Sequence, residues 1–352
     1  MNNPFKFGTI VEGNYFTDRT EELERIKEVL NSENHLILIS PRRFGKSSLV
    51  KKAITETGRT FISLNLQMVV SVENLAAVIL KEVFKIHKWE KIKHLLSHFR
   101  IVPTVSTTPL GDSFDVSFQP ATDTTVLLED ALQLIEKLSN SENRMIVVFD
   151  EFQELMTLEK GIDKRLRSII QNQTNISYIF LGSQESMMTE IFERKKSPFY
   201  HFGVLMHLDR IPYNDFYRYI VERIEDENAA TIAHRILETT RCHPYYTQQL
   251  SALVWDMLTY KHYDKDVVEQ AITSLVRIHD LDFERIWLNF NKTDRAILID
   301  LVRNGQPSSN RLLPTSTIYS GIKRLMQNGY VIKLEGYEVE DPFFSKWISD
   351  RQ

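Results

Sequence analysis

Short apolar runs alternate with longer stretches of helical periodicity along the first two-thirds of the chain. The strongest runs lie at residues 36–39, 145–149 and 177–182, and the second consists of five consecutive apolar residues. A run of this kind predicts a strand that is buried on both faces. Alternating or shorter apolar patterns at residues 60–66 and 204–208 predict two further strands.

Between these runs, apolar residues recur three and four positions apart, as they do on one face of a helix. Stripes of this kind predict helices at residues 20–30, 72–89 and 127–138. Residues 101–122 break the rhythm, because they contain three prolines and alternate apolar with polar positions around Val116. This segment predicts an inserted β-hairpin, with an irregular loop as the alternative.

Composition narrows the class of protein. The chain has 352 residues, of which 42% are hydrophobic and 26% charged, as expected of a globular protein with two or three domains. A net charge of −4 provides no general attraction to nucleic acid or to an anionic membrane. The single cysteine, Cys242, excludes an intrachain disulfide and a cysteine-based zinc cluster. No apolar stretch reaches membrane-spanning length, and we expect a cytoplasmic protein.

Residues 40–48 read Ser-Pro-Arg-Arg-Phe-Gly-Lys-Ser-Ser and lie where a buried strand is followed by a helix, as in a phosphate-binding loop. Backbone N–H groups and the positive end of the helix would face nucleotide phosphates. Lys46 would reach the β- and γ-phosphates, and the Ser47 hydroxyl would bind Mg²⁺. The positions expected to contact nucleotide are Pro41, Arg42, Arg43, Phe44, Gly45, Lys46, Ser47 and Ser48.

Ser40 stands where this kind of loop usually has a glycine, so we expect the loop to begin with an unstrained backbone. Taken alone, the Gly-Lys-Ser-Ser sequence is also compatible with the start of a surface helix.

Two carboxylates, Asp150 and Glu151, follow the apolar run at 145–149. Ligands of open parallel sheets bind outside the carboxyl ends of the strands, so this pair would face the same crevice as the loop. Asp150 would hold Mg²⁺, through water, and Glu151 would polarise the attacking water. A strand that ends in a solvated acidic turn is the alternative.

Three further candidate sites, with four residues, have two interpretations each. Ser183, after the run at 177–182, would sense the γ-phosphate or cap the next helix. Phe16 and Arg19 would flank an adenine ring, or Phe16 would pack on the first helix. Pro244 fits a first helical position, in a lid that closes on nucleotide or in an ordinary helical bundle.

The C-terminal part, from residue 292, predicts a helix, a short second segment at 310–313, a third helix and a hairpin, which is the order of a winged helix. From Asn291 onward there are nine Lys or Arg and seven Asp or Glu, a weak basic footprint. Binding of DNA and docking of a protein therefore stay open. The candidate nucleic-acid contacts on the third helix are Thr317, Tyr319, Ser320, Lys323 and Arg324.

Taken together, these segments resemble the archaeal-type ATPases, also found in bacteria, of the AAA+/STAND-like P-loop group. The resemblance spans nearly the whole chain and is most specific at the loop and at Asp-Glu-Phe-Gln. The matching segments are Phe16-x-x-Arg19, residues 40–48 (Walker A), 148–153 (Walker B), 181–183, 197–200 and 243–246, and the winged helix.

The resemblance implies an α/β fold in which a P-loop NTPase parallel sheet of order 5-1-4-3-2 is followed by a helical lid and a C-terminal winged helix. The expected domains are residues 1–212, including the hairpin near 101–122, then 213–285 and 286–352. Lys46, Ser47, Asp150 and Glu151 would take nucleotide and Mg²⁺ roles. Ser183 would be the sensor, and Pro244 would lie near adenine.

Two departures from the family pattern bear on hydrolysis. Many relatives have an arginine where this chain has His201-Phe202-Gly203, and they have glycine where this chain has Cys242. Loss of an arginine finger costs several orders of magnitude in rate. Arg194, Arg42 or a neighbouring subunit would have to substitute.

We therefore expect an ATP-binding, Mg²⁺-dependent ATPase or slow nucleotide switch that moves its C-terminal domain. The alternative is a DNA-binding regulator or protein-docking module with a weak or vestigial ATPase core. The expected ligands are ATP, ADP and Mg²⁺, with duplex DNA or a protein as partner of the winged helix and no membrane. A homo-oligomer is also compatible with the sequence.

Overall fold

The structure is a computed structural model that describes residues 2–87, 89–97, 100, 104–107, 114–117, 123–260, 262–263, 266–307 and 314–351. The chain divides into two compact units. The sheet unit comprises Thr20–Ser40 and Leu49–Leu208, and the helical unit comprises Met1–Arg19, Pro41–Ser48 and Asp209–Gln352. Within the described part of the chain, no helix has the length and apolar character needed to cross a bilayer.

A five-stranded parallel sheet forms the centre of the sheet unit. The strands of this unit are β1 (Leu36–Ile39), β2 (Phe61–Asn65), β3 (Thr104–Thr107), β4 (Phe114–Ser117), β5 (Met145–Asp150), β6 (Ile176–Gly182) and β7 (Val204–His207). The sheet has the order β2-β5-β6-β1-β7, and all of its neighbouring strands are parallel. With the five parallel strands counted along the chain, this is the predicted order 5-1-4-3-2, which is confirmed.

Burial explains why the apolar runs identified these strands. All residues of β1 and β6, and the first five residues of β5, are buried. β2 alternates buried and more exposed positions at one edge of the sheet. β3 and β4 pair antiparallel, as expected of the predicted hairpin, and residues 108–113 between them lie outside the described residues.

Helices connect the strands of the sheet unit. Their bounds are α1 (Thr20–Asn31), α2 (Lys46–Thr57), α3 (Val72–Ile86), α4 (Trp89–Leu96), α5 (Thr124–Leu138), α6 (Leu155–Leu158), α7 (Ile162–Ile170) and α8 (Glu185–Phe192). The first three residues of α2 are assigned to the helical unit. α3 and α5 each bury an apolar stripe in the core of the sheet unit.

An aromatic cluster packs beside the carboxyl end of β5. The Phe152 ring centroid lies 4.7 Å from that of Phe180, 5.4 Å from that of Phe199 and 5.5 Å from that of Phe192. Phe152 is fully buried. Because Phe152 directly follows the acidic pair in the chain, this packing anchors the backbone at Glu151.

The helical unit has a separate apolar core, which includes Phe5 and residues from 211 to 348. Its elements are α9 (Tyr213–Val221), α10 (Ala229–Thr240), α11 (Pro244–Tyr260), α12 (Val267–Ile278), α13 (Asp280–Asn289), α14 (Lys292–Asn304), α15 (Thr315–Gln327), β8 (Val331–Lys333), β9 (Tyr337–Val339) and α16 (Pro342–Arg351).

The predicted C-terminal hairpin is confirmed, since β8 and β9 pair antiparallel. The predicted short segment at 310–313 lies outside the described residues. The winged helix therefore stays a prediction that rests on α14, α15 and the hairpin.

Candidate functional site

Polar residues follow three neighbouring strands at the carboxyl edge of the sheet. Ser40 follows β1, Asp150 ends β5 and Ser183 follows β6. The Ser40 N–H donates to the Gly182 carbonyl at 3.3 Å, and Ile39 is in register with Gly182. Ser40 does not have a positive φ, in agreement with the unstrained start expected of the loop.

Glu151 is held in a defined orientation. Its Oε2 accepts hydrogen bonds from Ser183 Oγ at 2.6 Å and from Gln153 Nε2 at 2.6 Å. Its N–H donates to Asp150 Oδ1 at 3.0 Å. The backbone at Glu151 has φ 53° and ψ 49°, a left-handed conformation that costs a non-glycine residue about 1–2 kcal/mol. Strain of this kind persists only where the surroundings fix it, and here buried Phe152 and these hydrogen bonds do so.

Gln153 is a site residue to which the sequence analysis assigned no role. It is fully buried, and its Oε1 has no hydrogen-bond partner among the described residues. The only signal in the sequence was a glutamine two positions after a carboxylate; its burial, which makes the bond to Glu151 necessary, is visible only in the structure.

The loop residues Pro41–Ser48 lie in the helical unit. Lys46 is the first residue of α2, is 5% exposed, and donates from Nζ to the Pro41 carbonyl at 3.0 Å. Gly45 has φ 88° and Arg43 has φ 64°, so the backbone is left-handed at two positions of the loop. Ser48 Oγ accepts the Val11 N–H at 3.0 Å, which ties the N-terminal segment to the start of α2.

Arg19 contacts backbone carbonyl groups of the helical unit. Its guanidinium donates to the Asp209 carbonyl at 2.6 Å and to the Phe44 carbonyl at 3.5 Å, and the side chain is buried. Through these bonds Arg19 connects the loop backbone at Phe44 to the backbone at Asp209. Phe16, the other residue predicted near adenine, is half-buried.

Arg43 and Phe44 contact the start of α11. The Phe44 ring is buried with its centroid 4.7 Å from that of His243. The Arg43 guanidinium lies 4.6 Å from the Tyr245 ring centroid and donates from Nη1 to Tyr246 Oη at 3.1 Å. Pro244 is the first residue of α11, as predicted. Neither tyrosine has a sequence pattern that points to the loop, so no role was predicted for them.

Burial lowers the pKa of His243, and neighbouring Glu340 partly opposes this lowering. The Tyr245 N–H donates to His243 Nδ1 at 3.2 Å, so the neutral ring carries its proton on Nε2. The adjacent Cys242 has φ 57°, which explains why glycine suits this position. The side chain found here costs conformational energy that glycine would not.

The residues of α15 that were predicted to contact nucleic acid differ in exposure and in their partners. Tyr319 is 66% exposed, and Ser320 and Lys323 are also exposed, whereas Thr317 is half-buried. Arg324 pairs with buried Asp294 through two bonds, Nη2 to Oδ1 at 2.5 Å and Nε to Oδ2 at 3.1 Å. A guanidinium held in this way has a structural partner within the helical unit.

The segment that replaces the expected arginine has no room for a side chain at Gly203. A Cβ there would lie 2.6 Å from the His35 carbonyl oxygen. Arg194, one of the residues considered as a substitute, lies just after α8 and pairs with Glu190 of that helix at 2.5 Å. Among the described residues, no group of three His, Cys, Asp or Glu side chains is arranged to hold a metal ion by itself.

Comparison with known proteins identifies the family of the chain. The model of a family described as an ATPase domain predominantly from Archaea matches residues 16–201, which is more than half of the chain. The chain belongs to this family. It is a P-loop NTPase of the archaeal ATPase type, as the sequence resemblance indicated.

Solved structures show the same fold at low sequence identity. A Walker-type ATPase of Pyrococcus abyssi is similar with a TM-score of 0.66 at 15% identity, covering 95% of this chain and 96% of that chain. The Orc1 protein of Aeropyrum pernix in complex with DNA has a TM-score of 0.51 at 14% identity, covering 96% and 93%. A RuvB mutant of Thermotoga maritima has a TM-score of 0.50 at 14% identity, covering 95% and 96%. No curated protein sequence matches the chain.

Proposed function

We propose that the chain binds ATP together with Mg²⁺ and hydrolyses it slowly, as a nucleotide-dependent switch. One observation carries the proposal: Glu151 is oriented by two donors, beside Asp150, at the carboxyl edge of a parallel sheet. Open α/β sheets bind their ligands at this edge. Membership of an ATPase-domain family supports the same conclusion.

The loop would hold the phosphates. Lys46 is the first residue of α2, and the N–H groups of a helix start lack intrahelical partners and attract anions. The Lys46 ammonium donates to a carbonyl of its own loop. In the proposed complex it would exchange this neutral acceptor for phosphate oxygens, which form stronger, charge-assisted bonds.

The donor set fits Mg²⁺. The Ser47 hydroxyl, which would bind Mg²⁺ directly, and the Asp150 carboxylate, which would hold it through water, are hard oxygen donors. Mg²⁺ bound with a nucleotide is typically held by one or two carboxylates together with substrate phosphates, and it neutralises phosphate charge when bound. Asp150 ends β5 and is half-buried.

Glu151 would orient the attacking water and accept its proton. Ser183 and Gln153 hold one of its carboxylate oxygens at 2.6 Å each. General-base assistance of this kind contributes roughly 10²- to 10⁴-fold to rate. In this proposal Ser183 acts through Glu151, in addition to its proposed role as γ-phosphate sensor.

Slow turnover follows from the segment at 201–203. It has no arginine, and Gly203 lies against the His35 carbonyl, where a side chain does not fit. An arginine finger is worth about 10³- to 10⁵-fold in rate. Without one, long-lived nucleotide states are expected, and such states suit a switch better than a motor.

Calorimetric titration tests nucleotide binding, with ATP and ADP, each with and without Mg²⁺. Lys46→Ala is expected to weaken ATP binding by roughly 10- to 100-fold, because a charge-assisted contact is worth about 1.5–3 kcal/mol. Lys51→Ala, on the same helix, is the matched control and should bind like wild type. Equal affinity of wild type and Lys46→Ala would refute the loop assignment.

Contact of α15 with duplex DNA is a second candidate, favoured by exposed Tyr319 and Lys323 and by the fold shared with Orc1, which was solved bound to DNA. Lys323→Ala should then weaken salt-dependent duplex binding and lower the salt dependence by about one ion. Arg324→Ala is expected to act mainly on stability, because Asp294 holds that guanidinium. Absence of any duplex binding at low salt would favour protein docking instead.

A further inference from the structure

A chain of side-chain hydrogen bonds connects the loop with the C-terminal hairpin of the helical unit. Arg43 Nη1 donates to Tyr246 Oη at 3.1 Å, and Tyr246 Oη donates to Glu340 Oε2 at 2.7 Å. One tyrosine hydroxyl can accept and donate at the same time. Tyr246 is 2% exposed, so the hydroxyl that both bonds share is buried, and each bond as a whole is partly buried. The series runs from a cation through a hydroxyl to a carboxylate. Each bond is charge-assisted, because one of its two groups is ionised.

The loop end of this chain is conformationally strained. Arg43 has φ 64°, a left-handed conformation that L-residues adopt at a cost. Such a conformation persists only when neighbouring groups hold it. Here the Tyr245 ring lies under the guanidinium, Tyr246 accepts its N–H, and the neighbouring Phe44 packs on His243.

Glu340, at the other end of this series of hydrogen bonds, is fixed at the C-terminal hairpin. The Glu340 N–H donates to the Tyr330 carbonyl at 3.0 Å, immediately beyond the pairing of β8 with β9. Glu340 Oε1 lies 3.4 Å from His243 Nε2, the ring nitrogen that carries the proton. Glu340 therefore faces both the tyrosine and the histidine at the start of α11.

A second carboxylate of the hairpin strengthens the same connection. Glu338 on β9 pairs with Arg210 at 2.6 Å and with Arg241, at the end of α10, also at 2.6 Å. These two ion pairs fix the hairpin to Arg210 and to the end of α10. A change in the loop backbone would therefore alter the contacts of Glu340.

We propose that Tyr246 and Glu340 are positioning residues for nucleotide binding, which hold Arg43 and with it the loop backbone in the conformation that receives phosphate. The inference rests on the proposed function, since it presumes that the loop binds a nucleotide. Coupling between two sites is reciprocal. Nucleotide in the loop therefore stabilises the hairpin, and an intact hairpin contact tightens nucleotide binding.

The test compares ATP affinities by calorimetry for wild type, Tyr246→Phe, Glu340→Gln, Arg43→Ala and the double variant Arg43→Ala/Glu340→Gln. Tyr246→Phe and Glu340→Gln are each expected to weaken binding about fivefold to twentyfold, within the usual range of coupling between sites. The double variant should bind no more weakly than Arg43→Ala, because both changes interrupt one chain. Tyr178→Phe is the matched control, since it removes another buried tyrosine hydroxyl, bonded to Gln173.

Hydrogen exchange provides a readout that a purely structural role would not change. ATP should increase protection of residues 331–351 in wild type and should leave it unchanged in Tyr246→Phe. Glu340→Gln, which keeps the side-chain shape, serves if Tyr246→Phe does not fold.

The outcomes separate the two proposals. If wild type binds ATP and both single variants bind equally well, the positioning role is refuted while nucleotide binding stands. Independent, multiplying effects of Arg43→Ala and Glu340→Gln would also refute it. If wild type binds no ATP, the proposed function fails first and the inference fails with it.

Discussion

Replacing Phe152 by alanine tests whether aromatic packing holds the segment that carries the acidic pair. The ring is fully buried, with neighbouring ring centroids 4.7–5.9 Å away. Truncation of a buried phenylalanine costs about 3–5 kcal/mol. We expect the upper half of that range, because four aromatic rings surround the site and rigid rings cannot readily fill the space. A typical stability is 5–15 kcal/mol, so the sheet unit should be severely weakened.

The assay is urea denaturation, followed by hydrogen exchange in the segment from β5 to α6. Exchange is needed because a chain of two units need not unfold in one step. Met156→Ala is the matched control, since Met156 lies in the same segment and is 41% exposed. If Phe152→Ala costs less than about 1 kcal/mol, or no more than Met156→Ala, then the cluster does not anchor this backbone and the reasoning fails.

Three further changes have predicted outcomes. Gly203→Ala should lower the free energy of unfolding by about 1–3 kcal/mol, measured by urea denaturation, because its Cβ would meet the His35 carbonyl at 2.6 Å; an unchanged stability would contradict this contact. Cys242→Gly should be neutral or stabilise by up to about 1 kcal/mol, whereas Cys242→Val should destabilise by about 2 kcal/mol, because φ is 57°; the reverse order in melting temperature would contradict the account. Burial raises the pKa of Asp341 to about 6; nearby Glu340 adds to this rise, and two backbone N–H donors oppose it. The protonated carboxyl therefore favours folding at low pH, and that contribution is lost as pH rises from about 4 to 6. Asp341→Asn should retain the bonds from Phe343 and Phe344, remove this pH dependence, and be more stable at pH 7 by up to about 3 kcal/mol in denaturant titrations; a pH profile that matches wild type would contradict it.

Much of the fold was predictable from the sequence because the strands are buried and short. β1, β5 and β6 are continuous apolar runs, and a strand covered on both faces leaves that pattern in the chain. Pro244 at the first position of α11 and the hairpin after α15 were predictable from local signals, since proline fixes φ at a helix start and glycine is typical of tight turns.

The contacts around the site were less predictable. The bond between Glu151 and Ser183 joins side chains that directly follow two neighbouring strands, and only the register of the sheet brings them together. Tyr246 connects Arg43 to Glu340 across nearly the whole length of the sequence. Such pairs leave no periodic pattern, because each depends on tertiary packing and not on neighbours in the chain.

Single-turnover hydrolysis of ATP by wild type and Glu151→Gln tests the central claim most directly. With enzyme in excess and Mg²⁺ present, the variant should bind ATP as tightly as wild type and lose roughly 10²- to 10⁴-fold in the rate of phosphate release. Glu154→Gln, three residues later, is the matched control and should retain the wild-type rate. If Glu151→Gln hydrolyses ATP as fast as wild type, Glu151 does not activate water and the proposed mechanism is wrong.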